Sequence, residues 1–186
     1  MADHLTRLRR RPLMAPLLVP LLIVLAAGAG IFWLGTWART TVVILVRHAE
    51  AAPATSGDPD LSPAGEARVR GLGEYLADVL PGGKVDYLYA ADTRRAQQTA
   101  APIANQFKLP INLLASSDWA GIATRIKREH RGETVVVVGY ASTLPSVISQ
   151  LSATQVAIRE DDYRSVFVVV IPSPGETRVL RLRYGS

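Results

Sequence analysis

The sequence predicts an α/β fold, a three-layer sandwich with a mostly parallel sheet, preceded by one N-terminal transmembrane helix. Three observations carry this reading. After residue 38, short β-branched apolar runs alternate with amphipathic stretches of helical period, the pattern of strands covered on both faces by helices. Before it lies one long uncharged run. The 186 residues, 48% hydrophobic and without a long polar tract, suffice for one core of ordinary size. The expected units are a basic tail (1–12), a membrane anchor (13–37) and a folded domain (38–186).

The uncharged run extends from Leu13 to Leu34, 22 residues, against the ~20 that a helix needs to span a bilayer core. Pro16 and Pro20 fall near its start, and Trp33 and Trp37 fall where an interfacial aromatic belt belongs. The small-residue stretch LAAGAG suits a signal-peptide cleavage site, but the apolar run exceeds the ~7–15 residues of a signal-peptide core. An uncleaved single-pass anchor is therefore expected. Arg7, Arg9, Arg10 and Arg11 precede the run, whereas only Arg39 and Arg47 follow it closely. That asymmetry predicts a cytoplasmic N-terminus and an extracytoplasmic domain, periplasmic in a two-membrane bacterium. The same arginines explain the formal charge of +5, since residues 38–186 hold 17 basic and 15 acidic side chains. A nucleic-acid surface on the folded part is not expected. The absence of cysteine excludes disulfides, thiolate metal sites and cysteine nucleophiles. No metal or other cofactor is expected.

The first element of the domain is TVVILV (41–46), a continuous β-branched run that reads as a strand buried on both faces. After the polar loop SGDPDL, Ser62 is the expected cap of a helix with Pro63 in its first turn and Glu66 beside it. Val69, Leu72, Leu76 and Val79 supply its apolar stripe, and PGG ends it. DYLYA (86–90) reads as a strand, TRRAQQTAAPIANQF as a helix and LPINLL as a third strand. Asp118 to Glu129 reads as a helix, TVVVVG (134–139) as a strand and Thr143 to Leu151 as a helix. RSVFVVVI and TRVLRLRYG form a closing pair around the turn PSPGE.

Ligands of such sheets bind at the carboxyl ends of the strands. Three of those ends bear polar groups: Arg47 and His48, Asp92 to Arg95, and Tyr140 to Thr143. Two guanidinium forks can clamp a phosphoryl group, and an imidazole between them can attack phosphorus if its proton stays on the other nitrogen. Each residue also has a plainer reading. An arginine-histidine pair at a strand end is commonly a surface charge beside a satisfied ring. Arg94 and Arg95 at a helix start oppose the helix dipole, which makes sense if an anion sits beside them.

LVRHAE, LSPAGEAR, TRRAQQTAAPIA and the strand VVVVG with its following helix, in that order, resemble the histidine phosphatase superfamily with its phosphoglycerate-mutase-like fold. The similarity covers nearly everything after residue 40, and the ending, DDYRSVFVVVI with RLRYG, resembles a small branch of bacterial membrane-anchored members. The resemblance implies that His48 is the nucleophile, Arg47 the adjacent clamp and Arg95, in R-x-x-Q-T with Gln98, the second clamp, with Arg94 a weaker substrate-binding candidate. It also implies a second histidine after the fourth strand, where this sequence has Gly139-Tyr140-Ala141. Asp118 is the nearest candidate for the carboxylate proton donor of the family, with helix capping as its plainer role. His4 precedes the apolar run, and His130 precedes strand four, at the far edge of the sheet, so neither replaces the missing ring. A phenol with pKa ~10 can hydrogen-bond a phosphate but cannot carry an imidazolium's charge. Tyr140 either contacts the phosphate or merely fills space. Two classes of function are consistent with this pattern. One is a membrane-anchored protein that binds a phosphate or phosphate ester, with catalysis impaired, lost, or slow but genuine. The other is a pseudoenzyme serving as an accessory subunit of a membrane protein complex.

Overall fold

A computed structural model describes residues 15–37, 39–53 and 57–185. The chain divides between residues 38 and 39. Before that division, α1 (Ala15–Trp37) is a helix of 23 residues without an acidic first turn or a basic last turn, and it continues through Pro20. Leu22, Ile23, Val24 and Phe32 are exposed on it. Among the described residues no helix is long and apolar enough to cross a membrane. The basic tail, His4 and the side chains of Trp33 and Trp37 lie outside the described residues.

The remainder is a mixed α/β unit around one six-stranded sheet, β1 (Arg39–Arg47), β2 (Tyr87–Ala91), β3 (Asn112–Leu114), β4 (Thr134–Gly139), β5 (Ser165–Ser173) and β6 (Arg178–Arg183). The spatial order is β3-β2-β4-β1-β5-β6. The pairings β3-β2, β2-β4 and β4-β1 are parallel, and β1-β5 and β5-β6 are antiparallel. The connections from β1 to β2 and from β2 to β3 move in one direction along the sheet, and that from β3 to β4 moves back. Right-handed crossovers therefore put α2 (Pro63–Val69), α3 (Leu72–Val79) and α4 (Arg94–Phe107) on one face and α5 (Ile122–Glu129) on the other. The packing agrees: α3 lies on α4, which covers β2 and β4, while α5 lies on α6 (Leu144–Ser152), which covers β1 and β5.

β-branched side chains favour the two central strands because both faces are covered. Val43 to Val46 and Val135 to Val138 are all fully buried, at 0% exposure. Ile44, Leu72, Leu76, Leu88, Ile103, Ile126 and Ile148 complete the core between the layers.

Several boundaries differ from expectation, each for a local reason. The helix begun by Ser62 breaks at Arg70 and Gly71 into α2 and α3. Val79, expected in the apolar stripe, is 40% exposed because it sits on the last turn beyond that break. β3 holds only three residues, since the segment pairs with β2 alone at the sheet edge. The helix expected from Asp118 is a 3₁₀ turn (Ser116–Ala120) followed by α5, whose start at Gly121 has no side-chain cap. Asp118 therefore does not cap α5; its carboxylate accepts from Ser117 Oγ at 3.2 Å. The turn serves to bury Trp119.

At the end of β4 the backbone passes so close to this tryptophan that Gly139 has no room for a side chain. A Cβ there meets Trp119 Cη2, with Leu144 Cδ2 at 2.9 Å and Trp119 Cζ3 at 3.0 Å. Gly139→Ala is expected to lower unfolding stability by about 1–3 kcal/mol through overpacking, read as a reduced urea midpoint at unchanged slope. An unchanged midpoint would mean that Trp119 yields without cost.

Candidate active site

The site is assembled by strand register. Arg47 lies opposite Gly139 in the parallel β1-β4 pairing, and the His48 N–H continues the ladder by donating to the Gly139 carbonyl at 3.0 Å. The next residue on each strand, His48 and Tyr140, are thereby side by side, with ring centroids 5.7 Å apart in an edge-on arrangement at 70°. Sequence spacing alone placed them 92 residues apart.

The third contributor, α4, is locked to β1 by Thr99. Its fully buried hydroxyl accepts the Ala49 N–H at 3.0 Å and donates to the Arg95 carbonyl at 2.7 Å. Gln98 ties the same helix to the polar loop, accepting from Leu61 N–H and donating to Asp60, both at 2.7 Å. The other side of the loop is held by Arg68, which grips both oxygens of Glu50 through Nε at 2.8 and 2.9 Å. Burial alone would push the Glu50 carboxyl up, but the Arg68 hydrogen bonds and charge hold it below the ordinary carboxylate range. The strings LVRHAE, LSPAGEAR and TRRAQQT are thus parts of one scaffold. Glu50, Arg68, Gln98 and Thr99 support it, although the sequence pattern assigned none of these four a part in holding it together.

His48 is 8% exposed. Its Nδ1 lies 2.8 Å from the Ala49 carbonyl, which can only accept, so Nδ1 bears the proton and Nε2 keeps its lone pair in the neutral ring. Burial lowers the imidazole pKa below its ordinary 6.5; the Ala49 bond opposes this, the charges of Arg47 and Arg95 add to it, and Glu160 opposes it weakly. The geometry therefore favours a neutral imidazole whose unprotonated Nε2 lies between two guanidinium groups.

Arg47 is 6% exposed and anchored by a segment far along the chain. Its Nη1 donates to the carbonyls of Arg159, at 3.2 Å, and Glu160; its Nη2 donates to Glu160 Oε2 at 3.1 Å and to the Tyr163 hydroxyl at 3.3 Å. The guanidinium stacks over the Tyr163 ring at 4.0 Å. Its Nε is buried and has no hydrogen-bond partner among the described residues. Leaving such a donor unsatisfied costs about 1–3 kcal/mol, and an oxyanion is one group that would satisfy it.

Arg95 stands on the other side, its guanidinium 5.5 Å from the Tyr140 ring and 3.8 Å from Asp58. Arg94 points elsewhere: its side chain is 61% exposed and pairs with Asp60 at 2.8 Å, while its backbone N–H donates to Asp58. The fold thus brings Arg47, His48, Arg95 and Tyr140 together and leaves Arg94 at the rim. The Tyr140 hydroxyl donates to Thr93 Oγ1 at 3.0 Å, and its ring also packs near Trp119 at 6.1 Å. It is therefore fixed in the site rather than loose. Among the described residues Asp118 makes no hydrogen bond or ion pair with this group; its carboxylate accepts from Ser117. His130 sits at the opposite edge, buried, with Nε2 against the Tyr89 hydroxyl and Nδ1 against Glu133, each at 2.8 Å. Glu160, Tyr163 and Asp58 were not picked out as site residues from the sequence. Their contacts with Arg47 and Arg95 span long separations, and no local pattern marks them.

The profile of the histidine phosphatase superfamily (branch 1) matches residues 43–116, a stretch that contains Arg47, His48, Arg94 and Arg95 and ends before Tyr140. No curated protein matches the chain. Solved structures share its fold. One is a putative phosphohistidine phosphatase SixA from Nakamurella multipartitia, 20% identical, covering 80% of this chain and 99% of that one at a TM-score of 0.56. Another is the protein histidine phosphatase SixA complexed with tungstate, 15% identical, covering 76% and 96% at 0.63. A third is a phosphoglycerate mutase from Plasmodium falciparum, 20% identical, covering 77% and 91% at 0.56. The chain has the histidine phosphatase superfamily fold.

Because the folded His48 has a pKa below that of the unfolded chain, the unfolded state takes up the proton first. Stability from this group is complete above the unfolded value of 6.5 and declines as pH falls below it. Between about pH 7 and about pH 5 the wild type should lose more stability than His48→Gln. Paired urea titrations would show this, and parallel losses would contradict the depressed pKa.

Proposed function

We propose that the protein is a membrane-anchored histidine-phosphatase-like protein that binds phosphate or a phosphate ester between Arg47, His48 and Arg95, with phosphoryl transfer impaired because Tyr140 replaces a second histidine. The observation that carries the site reading is the tautomer of His48: the Nδ1 contact with the Ala49 carbonyl leaves Nε2 free for phosphorus. In such a step the Nε2 lone pair would form the bond to phosphorus as the ester oxygen leaves with the electron pair of the broken bond. That oxygen then needs a proton. Tyr140, whose hydroxyl is already donated to Thr93, is a weak source. Water would later attack the phosphohistidine and release inorganic phosphate.

The anchor reading rests on the uncharged Leu13 to Leu34 run and on the helical course of α1. The arginines before it support a cytoplasmic N-terminus and an extracytoplasmic domain. The accessory-subunit reading draws on Tyr140 and on the engagement of Arg47 by Glu160, both of which leave the clamp poorly prepared for turnover. A slow phosphomonoesterase is the intermediate case.

Protease added to intact spheroplasts is expected to degrade the domain beyond residue 40, and a protected domain would reverse the topology. For the site, phosphate or tungstate at 100 times Kd should raise the melting temperature by about 5–10 °C, and Arg95→Ala should abolish the rise; an unchanged rise in that variant would put the anion elsewhere. Tyr140→His should increase hydrolysis of an aryl phosphate by about 10²-fold, the worth of one transition-state donor, and His48→Ala in the same background should remove the gain. No gain in a folded Tyr140→His protein would favour the accessory subunit.

A further inference from the structure

We propose that Glu160 determines charge specificity at this site, favouring phosphate esters whose alcohol portion is cationic over those that carry a second anion. The inference rests on the phosphate-binding role proposed for Arg47, His48 and Arg95.

Glu160 is 82% exposed, yet its carboxylate reaches back to Arg47, a side chain only 6% exposed. Among the described residues Arg47 is its one ion-pair partner, so no other cation there holds the carboxylate in place. It takes Nη2, whose edge of the guanidinium also bears the unpartnered Nε. A phosphoryl oxygen accepting from Nε brings negative charge to the edge that Glu160 already occupies. Its Nη1 is fixed by the backbone carbonyls of residues 159 and 160, so the guanidinium cannot turn a fresh edge to the ligand.

The neighbouring charges do not relieve this conflict. Arg95 faces Asp58 and Arg94 faces Asp60. Three arginines thus meet three carboxylates, and the site has no surplus positive charge to offer. A monoester phosphate can displace Glu160 from Nη2, but the freed carboxylate remains at the mouth. An ester with a further carboxylate or phosphate then places like charges together, whereas an ammonium beside the phosphate gives Glu160 a new partner. Glu160 acts on the ligand by charge and takes no part in bond making.

The test uses the full chain in mild detergent and calorimetric titration with three phosphate monoesters, namely phosphocholine, methyl phosphate and phosphoglycolate. Wild type should bind them in that order, with roughly fivefold in Kd between first and last, the upper range for a solvent-exposed charge pair. Glu160→Gln should erase the order and tighten methyl phosphate and phosphoglycolate. Glu176→Gln, on an exposed turn remote in sequence from the clamp, should keep it. A purely structural role for Glu160 would shift all three ligands together. An order that survives Glu160→Gln, or equal binding of all three by wild type, overturns the proposal while leaving the phosphate site standing. Failure of all three to bind wild type overturns the phosphate site and this proposal with it.

Discussion

The parallel register of β1 on β4 is the constraint on which the rest of the site depends. With Arg47 opposite Gly139, both strands end together, and the chain leaves each at the same level of the sheet. A slip of one residue would turn the side chains of β1 to the opposite faces and move His48 away from Tyr140. The register is strongly specified because both central strands are apolar on both faces, so any shift would bring a charged or polar end residue into the core. Gly139 contributes a second restraint, since only a residue without Cβ lets Trp119 close over the strand end.

Within that frame the site is a study in competing electrostatic demands. Burial and two neighbouring guanidinium groups favour the neutral form of His48, which on the proposed reading suits attack on phosphorus but leaves the ring without charge of its own to stabilise a transferring phosphoryl group. Arg47 is buried by its stacking on Tyr163 and by backbone acceptors, an arrangement that fixes its direction and spends most of its donors. Tyr140 stands with its ring near both the histidine and Arg95 yet sends its hydroxyl to Thr93. On the proposed reading, the group is better organised for holding an anion than for returning a proton to a leaving group.

Much of this could be read from the chain. Continuous β-branched runs gave the central strands, because a strand covered on both faces has no polar side to show, and Ser62 with Pro63 marked a helix start that exists as expected, its Oγ accepting from Gly65 at 3.1 Å. The polar residues just beyond the strands marked the site edge, because side chains there escape the sheet. The break between α2 and α3 was hidden, since Val69 and Leu72 keep helical spacing across it. So was the 3₁₀ turn before α5, where burial of Trp119 overrides the local preference of Asp118 to begin a helix. Glu160 and Tyr163 were invisible for a deeper reason: their relation to Arg47 is made by the antiparallel return of β5 along β1, and a contact created by topology leaves no trace in local pattern.

Thr99 has a consequence for how this region fluctuates. Its single hydroxyl joins the backbone just after His48 to the carbonyl of Arg95, at 3.0 and 2.7 Å, in a place with no access to solvent. Water cannot replace either bond without entering the core, so the loop after His48 cannot open alone while the first turn of α4 stays folded. Amide exchange at Ala49 should accordingly follow the opening of that helical turn, and the two halves of the site behave as one cooperative unit. Their geometry is lost together or kept together, and intermediate states with a displaced histidine beside an intact arginine are sparsely populated.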